Sequence, residues 1–189
     1  MENLLIKYRR LIVEAENEKT KLILEKLPYD RADLAPVLSK ENIDAHYGVL
    51  AKGYVDRYNS GEGDDNFNHA GAILHNLFFT QLKSPSTSNK PYGVSLEFIN
   101  KHHDNFSSFK EAFTKAAMSI QGSGWVYLSD SGTIKTIKNH DVKADIILLI
   151  DWWEHAWFTD YGPNKQKYLS NIWRTINWAV INDRINLNG

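Results

Sequence analysis

The sequence contains no cysteine, and this absence excludes disulfide bonds, thiolate metal sites and cysteine nucleophiles. If a metal ion is bound, its ligands must therefore be histidine nitrogens and carboxylate oxygens. The chain also lacks an excess of charge of either sign, since its formal net charge is −1. No overall field therefore favours binding to nucleic acid or to an anionic membrane.

Long hydrophobic runs are also missing, because no segment reaches the roughly 20 apolar residues that span a bilayer. The first ten residues, MENLLIKYRR, have an early glutamate, a short apolar patch and then basic residues. A secretory signal has a different order, and no small-residue cleavage site follows. We therefore expect a cytoplasmic protein that does not bind membranes.

The chain is long enough for a well-packed core, with 189 residues of which 42% are hydrophobic. Apolar periodicity predicts helices in the first half of the chain. Two β-rich runs around SDSG predict a hairpin, and ADIILLID predicts a third, buried strand. Mostly helical sequence follows. Helices, then a small antiparallel sheet, then helices predict an α+β fold.

The boundaries of the predicted segments follow from helix and linker signals. Residues 2–26 have no proline or glycine and predict a helix. Ser39 is predicted to cap a helix that runs to about Tyr58, and another helix covers roughly 68–83. Residues 84–93 have the serine, proline and glycine content of a linker. The predicted segments are an N-terminal helical extension (1–26), a helical hairpin lobe (27–88) and a C-terminal α/β lobe (89–189).

Two of the seven histidines lie in the middle of predicted helices, flanked by apolar residues. His46 stands in AHYGVL and His75 in ILHNLFF. A single histidine on an apolar helix face is more often a hydrogen-bonded core residue than a ligand. Two of them on successive helices weaken that interpretation, because an antiparallel helix pair can point both side chains inward.

The segment DWWEHAWF at 151–158 places two carboxylates and a histidine directly after an apolar run. Burying an unpaired charge is costly, so these groups need partners. Asp151 and His155 face the same point in space if a helix begins there. A local hydrogen bond between them without a metal is an equally good interpretation of this segment alone. Three histidines and one carboxylate would suit iron, manganese or zinc.

The sequence resembles the iron/manganese superoxide dismutase family from about Leu27 to Arg184. The blocks that carry the resemblance are LPYD at 27–30, HYGVLAKGYV at 46–55, FNHAGAILHNLFF at 67–79, QGSGWVYL at 121–128, DWWEHAWF at 151–158 and YLSNIWRTINW at 168–178. The pattern D-x-W-E-H-A is close to diagnostic of this family. A helical histidine in each of two earlier blocks supports it.

The resemblance implies the ligands, the fold and the reaction. The implied ligands of one iron or manganese ion per subunit are His46, His75, Asp151 and His155. The ion would lie between an N-terminal helical hairpin and a C-terminal lobe with a three-stranded antiparallel sheet. The implied reaction converts superoxide to dioxygen and hydrogen peroxide by alternate reduction and oxidation of the ion. A homodimer or larger homo-oligomer is also implied.

The resemblance also implies roles for residues around the ion. Tyr54 matches the family's gateway tyrosine, and its spacing from His46 of about two helical turns puts both on one helix face. Glu154 matches a glutamate that pairs with the ligand histidine of the partner subunit. The residues that match an aromatic wall around the metal are Trp125, Trp153, Phe67 and Phe79. Without the resemblance, these aromatic residues would be interpreted as core packing.

Two departures from the family pattern bear on activity. A histidine and a tyrosine that form a hydrogen bond across subunits in the family are Leu50 and Phe158 here. Because both are apolar, neither leaves a buried donor without a partner. A glutamine that contacts the solvent at the metal occupies one of two places in the family, which here hold Gly71 and His140. His140 could donate a hydrogen bond in its place, or it could be an exposed hairpin residue.

Two other functions stay open on the sequence alone. One is a metal-binding homologue that is inactive or weakly active because the residues around its metal have changed. The other is a mononuclear non-haem oxygenase with two histidines and one carboxylate. Four protein ligands argue against that chemistry, because they leave too few open positions on the metal. The choice between iron and manganese is also open.

Overall fold

A computed structural model describes residue 6 and residues 20–187 of the chain. The elements are α1 Lys40–Ala45, a π-helical segment His46–Ala51, α2 Lys52–Ser60, α3 Asp65–Thr80, α4 Val94–His103, α5 Phe106–Met118, β1 Gly124–Ser129, β2 Ile134–Lys138, β3 Ile146–Asp151, α6 Glu154–Tyr161, α7 Lys165–Ile172, a 3-10 turn Trp173–Thr175 and α8 Trp178–Asn186. This order confirms the predicted α+β fold. Within the described residues, every helix is too short or too polar to cross a membrane.

Polar side chains define where the helices of the N-terminal hairpin begin, because they accept hydrogen bonds from otherwise unpaired backbone N–H groups. Ser39 accepts from the N–H of Asn42 at the start of α1, which confirms the predicted cap. Asp64 accepts from the N–H of Phe67. Helix α3 therefore begins at Asp65 rather than at about 68.

The helix that contains the first predicted ligand is interrupted by a π-helical segment at His46–Ala51, which the sequence did not predict. Such turns are rare and are frequent at functional sites. The segment begins at His46 and leads directly into α2, which packs against α3. The helical hairpin expected from the sequence is therefore present.

The sheet has the strand order β2–β1–β3, and both pairs of neighbours are antiparallel. In the central strand, Trp125 lies opposite Ile137 on one side and opposite Asp151 on the other. Every residue of β3 is buried, although β3 is at the edge of the sheet, because α3 and α8 pack against it. This burial on both faces explains the apolar run that precedes Asp151.

Residues 20–27 have no regular secondary structure, so the prediction of a helix over 2–26 is wrong for its last residues. Residue 6 is helical, and residues 1–5 and 7–19 lie outside the described residues. The remainder of the predicted N-terminal extension and the lobe boundaries stay predictions.

Two asparagine side chains hold residues 20–27, which we call the strap, and satisfy its backbone groups in place of helical hydrogen bonds. Asn59 accepts from the N–H of Leu22 at 2.9 Å and donates to its carbonyl at 2.8 Å. Asn76 accepts from the N–H of Glu25 at 2.9 Å and donates to the carbonyl of Ile23 at 2.8 Å. The strap is therefore bound by both helices of the hairpin.

The buried side chain of Arg184 joins α3 to β3. Its guanidinium donates to the carbonyls of Leu77 and Ile147 at 2.9 and 3.0 Å, and to Gln81 Oε1 at 2.8 Å. Gln81 in turn accepts from the N–H of Leu149 and donates to its carbonyl. These bonds hold the end of α3 against the strand that leads into the predicted metal site.

Candidate metal centre

Four side chains from four parts of the fold meet at one point. His46 comes from the π-helical segment, His75 from α3, Asp151 from the end of β3 and His155 from α6. One nitrogen or oxygen atom from each lies within 4.8 Å of the others. Asp151 Oδ2 is 3.1, 3.3 and 3.7 Å from Nε2 of His46, His155 and His75. The structure thus brings together all four residues that the sequence predicted as ligands.

Local hydrogen bonds orient two of these side chains. The N–H of Trp153 donates to Asp151 Oδ1 at 2.8 Å, which leaves Oδ2 facing the three histidines. His75 Nδ1 lies 2.6 Å from the carbonyl oxygen of Gly71. A carbonyl only accepts, so Nδ1 carries the hydrogen and Nε2 keeps the lone pair that a metal needs. The backbone therefore prepares both groups for coordination.

The donor atoms of this cluster fit a metal ion because they are buried and have no other partner. Asp151 Oδ2 and the Nε2 atoms of His46, His75 and His155 have no hydrogen-bond partner among the described residues. Leaving several such atoms unpaired in the core is costly. A cation with a preference for nitrogen and oxygen ligands removes that cost. This argues against the interpretation of Asp151 and His155 as a local hydrogen bond without a metal.

The electrostatic environment favours the protonation states that bind metals. Burial lowers the pKa of His75 well below its usual value and also lowers the pKa of His46. Burial alone would raise the pKa of Asp151, but the histidines His155 and His46 outweigh it and hold that pKa well below its usual range. Neutral imidazoles and an ionised carboxylate are the forms that coordinate a cation.

His140 lies beside the cluster, where its ring packs among aromatic residues. It stacks on Trp153 with 4.5 Å between ring centroids and is edge-on to Tyr54 at 4.8 Å. Its centroid is 5.6 Å from that of His75. The residue is only 8% exposed, which excludes the alternative of an exposed hairpin histidine. Its Nδ1 accepts a hydrogen bond from Trp125 Nε1 at 3.1 Å.

Tyr54 lies on the same side of the cluster. Its ring stacks on His75 with 5.2 Å between centroids, and the guanidinium of Arg57 lies 4.9 Å from the ring centre. Burial raises the pKa of Tyr54, so its hydroxyl stays protonated at neutral pH. A Cβ on Gly71 would lie 2.8 Å from the Tyr54 ring, which explains why glycine occupies this place in α3.

The remaining predicted aromatic residues also contact the site. Phe79 is 4.8 Å from His46 between ring centroids, and Phe67 is 4.7 Å from His140. Sequence reasoning did not assign Tyr168, whose hydroxyl donates to the backbone carbonyl of Asp151 at 3.1 Å. Tyr168 lies in the block YLSNIWRTINW, which carries the family resemblance, and this position was the one sequence signal for a role at the site.

One face of the site is open in the single chain. His155 is 20% exposed at its side chain, and its neighbour Glu154 is exposed. Phe158 is 51% exposed and Val49 is 66% exposed, whereas Leu50 is half-buried. Within one chain, the structure does not bring Glu154 into the cluster.

Comparison with known proteins agrees with this geometry. Residues 21–65 match the family model described as the alpha-hairpin domain of iron/manganese superoxide dismutases, and residues 91–184 match the model of their C-terminal domain. A protein of Porphyromonas gingivalis named superoxide dismutase (Mn/Fe) is 33% identical, over 84% of this chain and 96% of the relative. Superoxide dismutase (Fe) of Bacteroides fragilis is 32% identical, over 86% and 98%. Mitochondrial superoxide dismutase (Mn) of Aspergillus niger is 34% identical, over 90% and 95%. The chain therefore belongs to the iron/manganese superoxide dismutase family.

Proposed function

We propose that this protein is a superoxide dismutase that holds one iron or manganese ion between His46, His75, Asp151 and His155. The observation that carries the proposal is the convergence of four buried, otherwise unpaired donor atoms in a chain of this family. In the overall reaction, two superoxide anions and two protons give one dioxygen and one hydrogen peroxide. A redox-active ion at this site supplies the one-electron chemistry.

The chain itself fixes the ligands and limits access of water. The Trp153 N–H and the Gly71 carbonyl orient the carboxylate of Asp151 and the ring of His75. Such supporting hydrogen bonds tune the affinity and the potential of a metal. The rings of Trp125 and Phe79 cover the buried side of the cluster. Their burial keeps bulk water away from the reacting species.

We assign the delivery of protons to Tyr54 and a supporting hydrogen bond at the metal site to His140. Peroxide needs two protons, and both of these side chains carry a polar group beside the ring of His75. Such a group within reach of a reacting oxygen can donate a hydrogen bond or a proton to it. Both residues are buried, so their contribution depends on fixed geometry rather than on exchange with bulk solvent.

We also propose a homodimer or larger homo-oligomer in which the open face is covered by a second copy. Two exposed apolar side chains near the candidate ligands in sequence support this, Phe158 on the same helix as Glu154 and His155 and Val49 three residues after His46. A two-fold axis would bring each Glu154 to the ligand histidine of the partner subunit.

We also propose a cytoplasmic location, and cell fractionation tests it.

The first experiment is metal analysis of the purified protein, with pulse-radiolysis assays after loading with iron and with manganese. We expect about one ion per subunit and a rate well above spontaneous dismutation with at least one of the metals. Turnover no faster than the spontaneous reaction in solution would favour the alternative of an inactive metal-binding homologue. Leu50 and Phe158 are the sequence features that support that alternative. Oxygenase activity would instead require an open coordination position, which the fourth protein donor occupies.

A variant pair on α3 tests the ligand assignment. We expect His75→Ala to abolish both metal binding and turnover, because one of four donors is lost. His69→Ala is the matched control, since His69 is on the same helix, packs on Tyr58 and lies outside the cluster. Equal metal content in the two variants would contradict the proposed site.

A further inference from the structure

The hydrogen bond between Trp125 and His140 determines which nitrogen of the imidazole carries hydrogen. Trp125 Nε1 lies 3.1 Å from His140 Nδ1, and both residues are buried. An indole nitrogen only donates, so Nδ1 must supply a lone pair. A neutral imidazole with a lone pair on Nδ1 carries its hydrogen on Nε2.

The Cδ2–Nε2 side of the His140 ring faces α3 at Gly71, whose carbonyl oxygen lies 2.6 Å from Nδ1 of the candidate ligand His75. Cδ2, the carbon bonded to Nε2, lies 3.2 Å from the place of a Cβ on Gly71, one helical turn before His75. The ring of Tyr54 approaches the same point. Nε2 itself is buried and has no hydrogen-bond partner in the part of the chain that the structure describes. The ring thus presents an unused donor on the side of the cluster.

We propose that Trp125 is a positioning residue that holds His140 in the Nε2–H tautomer, so that the ring offers a fixed hydrogen-bond donor to the metal site. This rests on the proposed function and deepens it. The glutamine that His140 replaces always has an N–H group that can donate to the metal site. An imidazole has two neutral tautomers, and only one of them has its N–H on that side. The tautomer with hydrogen on Nδ1 would turn a lone pair toward the site and repel an anionic substrate.

The same bond prevents His140 from acting as a proton relay. A relay accepts a proton on one ring nitrogen and releases another proton from the second nitrogen. Here Nδ1 faces the N–H of an indole, which has no second site for a proton and does not lead to solvent. His140 therefore donates a hydrogen bond from one side only, and the protons consumed in the reaction arrive by another path, on which Tyr54 lies.

The test is nuclear magnetic resonance of the full-length protein, labelled with nitrogen-15 and loaded with zinc. Zinc suits histidine and carboxylate ligands and is diamagnetic, so the spectra stay sharp. Long-range proton–nitrogen correlations show which nitrogen of each histidine carries hydrogen. The spectrum of His140→Gln assigns the signals of His140 by their absence. We expect Nε2–H in the unmodified protein and a large population of Nδ1–H in Trp125→Phe.

Trp153→Phe is the matched control, because it makes the same change from indole to benzene in a ring that stacks on His140 without donating to it. Its His140 tautomer should not change. Nδ1–H in the unmodified protein would overturn the proposal, as would an unchanged tautomer in Trp125→Phe or equal shifts in both tryptophan variants.

A second measurement covers the case in which Trp125→Phe does not fold. The indole N–H resonance of Trp125 should move in His140→Ala, where its acceptor is missing. An unmoved resonance would count against the hydrogen bond and against the proposal. None of these spectra depends on turnover. The tautomer proposal can therefore be refuted while the dismutase assay supports the proposed function, and the reverse also holds.

Discussion

Replacing Gly71 by alanine should destabilise the protein, although alanine is the better helix former. Gly71 is a buried residue inside α3, where an added Cβ would lie 2.8 Å from both Cγ and Cδ1 of Tyr54. These atoms are near the base of a ring that stacks on the buried imidazole of His75. The ring cannot simply swing away, so the helix or the stacked rings must shift to admit the methyl group.

The size of the effect follows from two opposing contributions. Exchanging glycine for alanine in a helix interior gains about 0.5–1 kcal/mol. Adding a methyl group to a closely packed interior costs about 1–3 kcal/mol. We therefore expect Gly71→Ala to lower the free energy of unfolding by roughly 1–2 kcal/mol. For a chain of this length, this corresponds to a melting temperature lower by about 2–8 °C.

Gly53→Ala is the matched control, because Gly53 is also in a helix of the hairpin. Its added Cβ would meet Nη1 of Arg57 at 2.9 Å, which is the far end of a flexible side chain. The guanidinium can move aside at little cost, so the helix-forming gain remains. We expect this variant to be neutral or more stable by up to about 1 kcal/mol.

Urea denaturation of the metal-free proteins measures both effects, with all samples at one protein concentration because association also contributes to stability. Midpoints of unfolding for the two variants should shift in opposite directions, or only that of Gly71→Ala should fall. Equal stabilisation by the two alanines would refute the close packing between α3 and Tyr54. Gly71→Ala should also reduce dismutase activity, since the ring that it displaces contacts His75.

Two further predictions concern pH and subunit contact. Burial lowers the pKa of His46 and His75 and lowers the pKa of His140 to about 4. Since these folded-state values lie below that of the unfolded chain, their stability contribution is present above about pH 6.5 and is lost as the pH falls. The metal-free protein should lose up to about 1.4 kcal/mol per pH unit for each such histidine, and urea titrations that give a flat profile between pH 7 and 5 would contradict this. In the proposed dimer, Leu50→His should weaken association about tenfold or more by burying an unpaired imidazole, and adding Phe158→Tyr should restore it. Analytical ultracentrifugation measures both, and equal dissociation constants would contradict the placement of this pair across the subunit contact.

The parts of the fold that follow from local signals were predictable from the sequence. The side chain of Ser39 accepts a hydrogen bond from a backbone group only three residues away, so the cap can be predicted from the local sequence. The strand that ends at Asp151 can be predicted for a similar reason, since its uninterrupted apolar run indicates burial on both faces. The four candidate ligands were found through a family motif, and the structure places one donor atom of each within 4.8 Å of the others.

Interactions between distant residues were not predictable. The pattern of residues 2–26 predicts a helix, but the amides of Asn59 and Asn76 bind the backbone of residues 22–25 instead. Periodicity describes which residues are buried and does not describe what the backbone bonds to. The hydrogen bond from Trp125 to His140 was hidden for the same reason, because it depends on the register between β1 and the loop after β2.

The strap has a consequence for the order in which the N-terminal half assembles. Its anchors are 37 and 53 residues away along the chain and lie on different helices. The strap therefore docks only after the two helices have paired in the correct register, because both amide groups must already be in place. The same register brings His46 and His75 together. Slow exchange of the backbone hydrogens of Leu22 and Glu25 would thus report that the hairpin carrying His46 and His75 is closed.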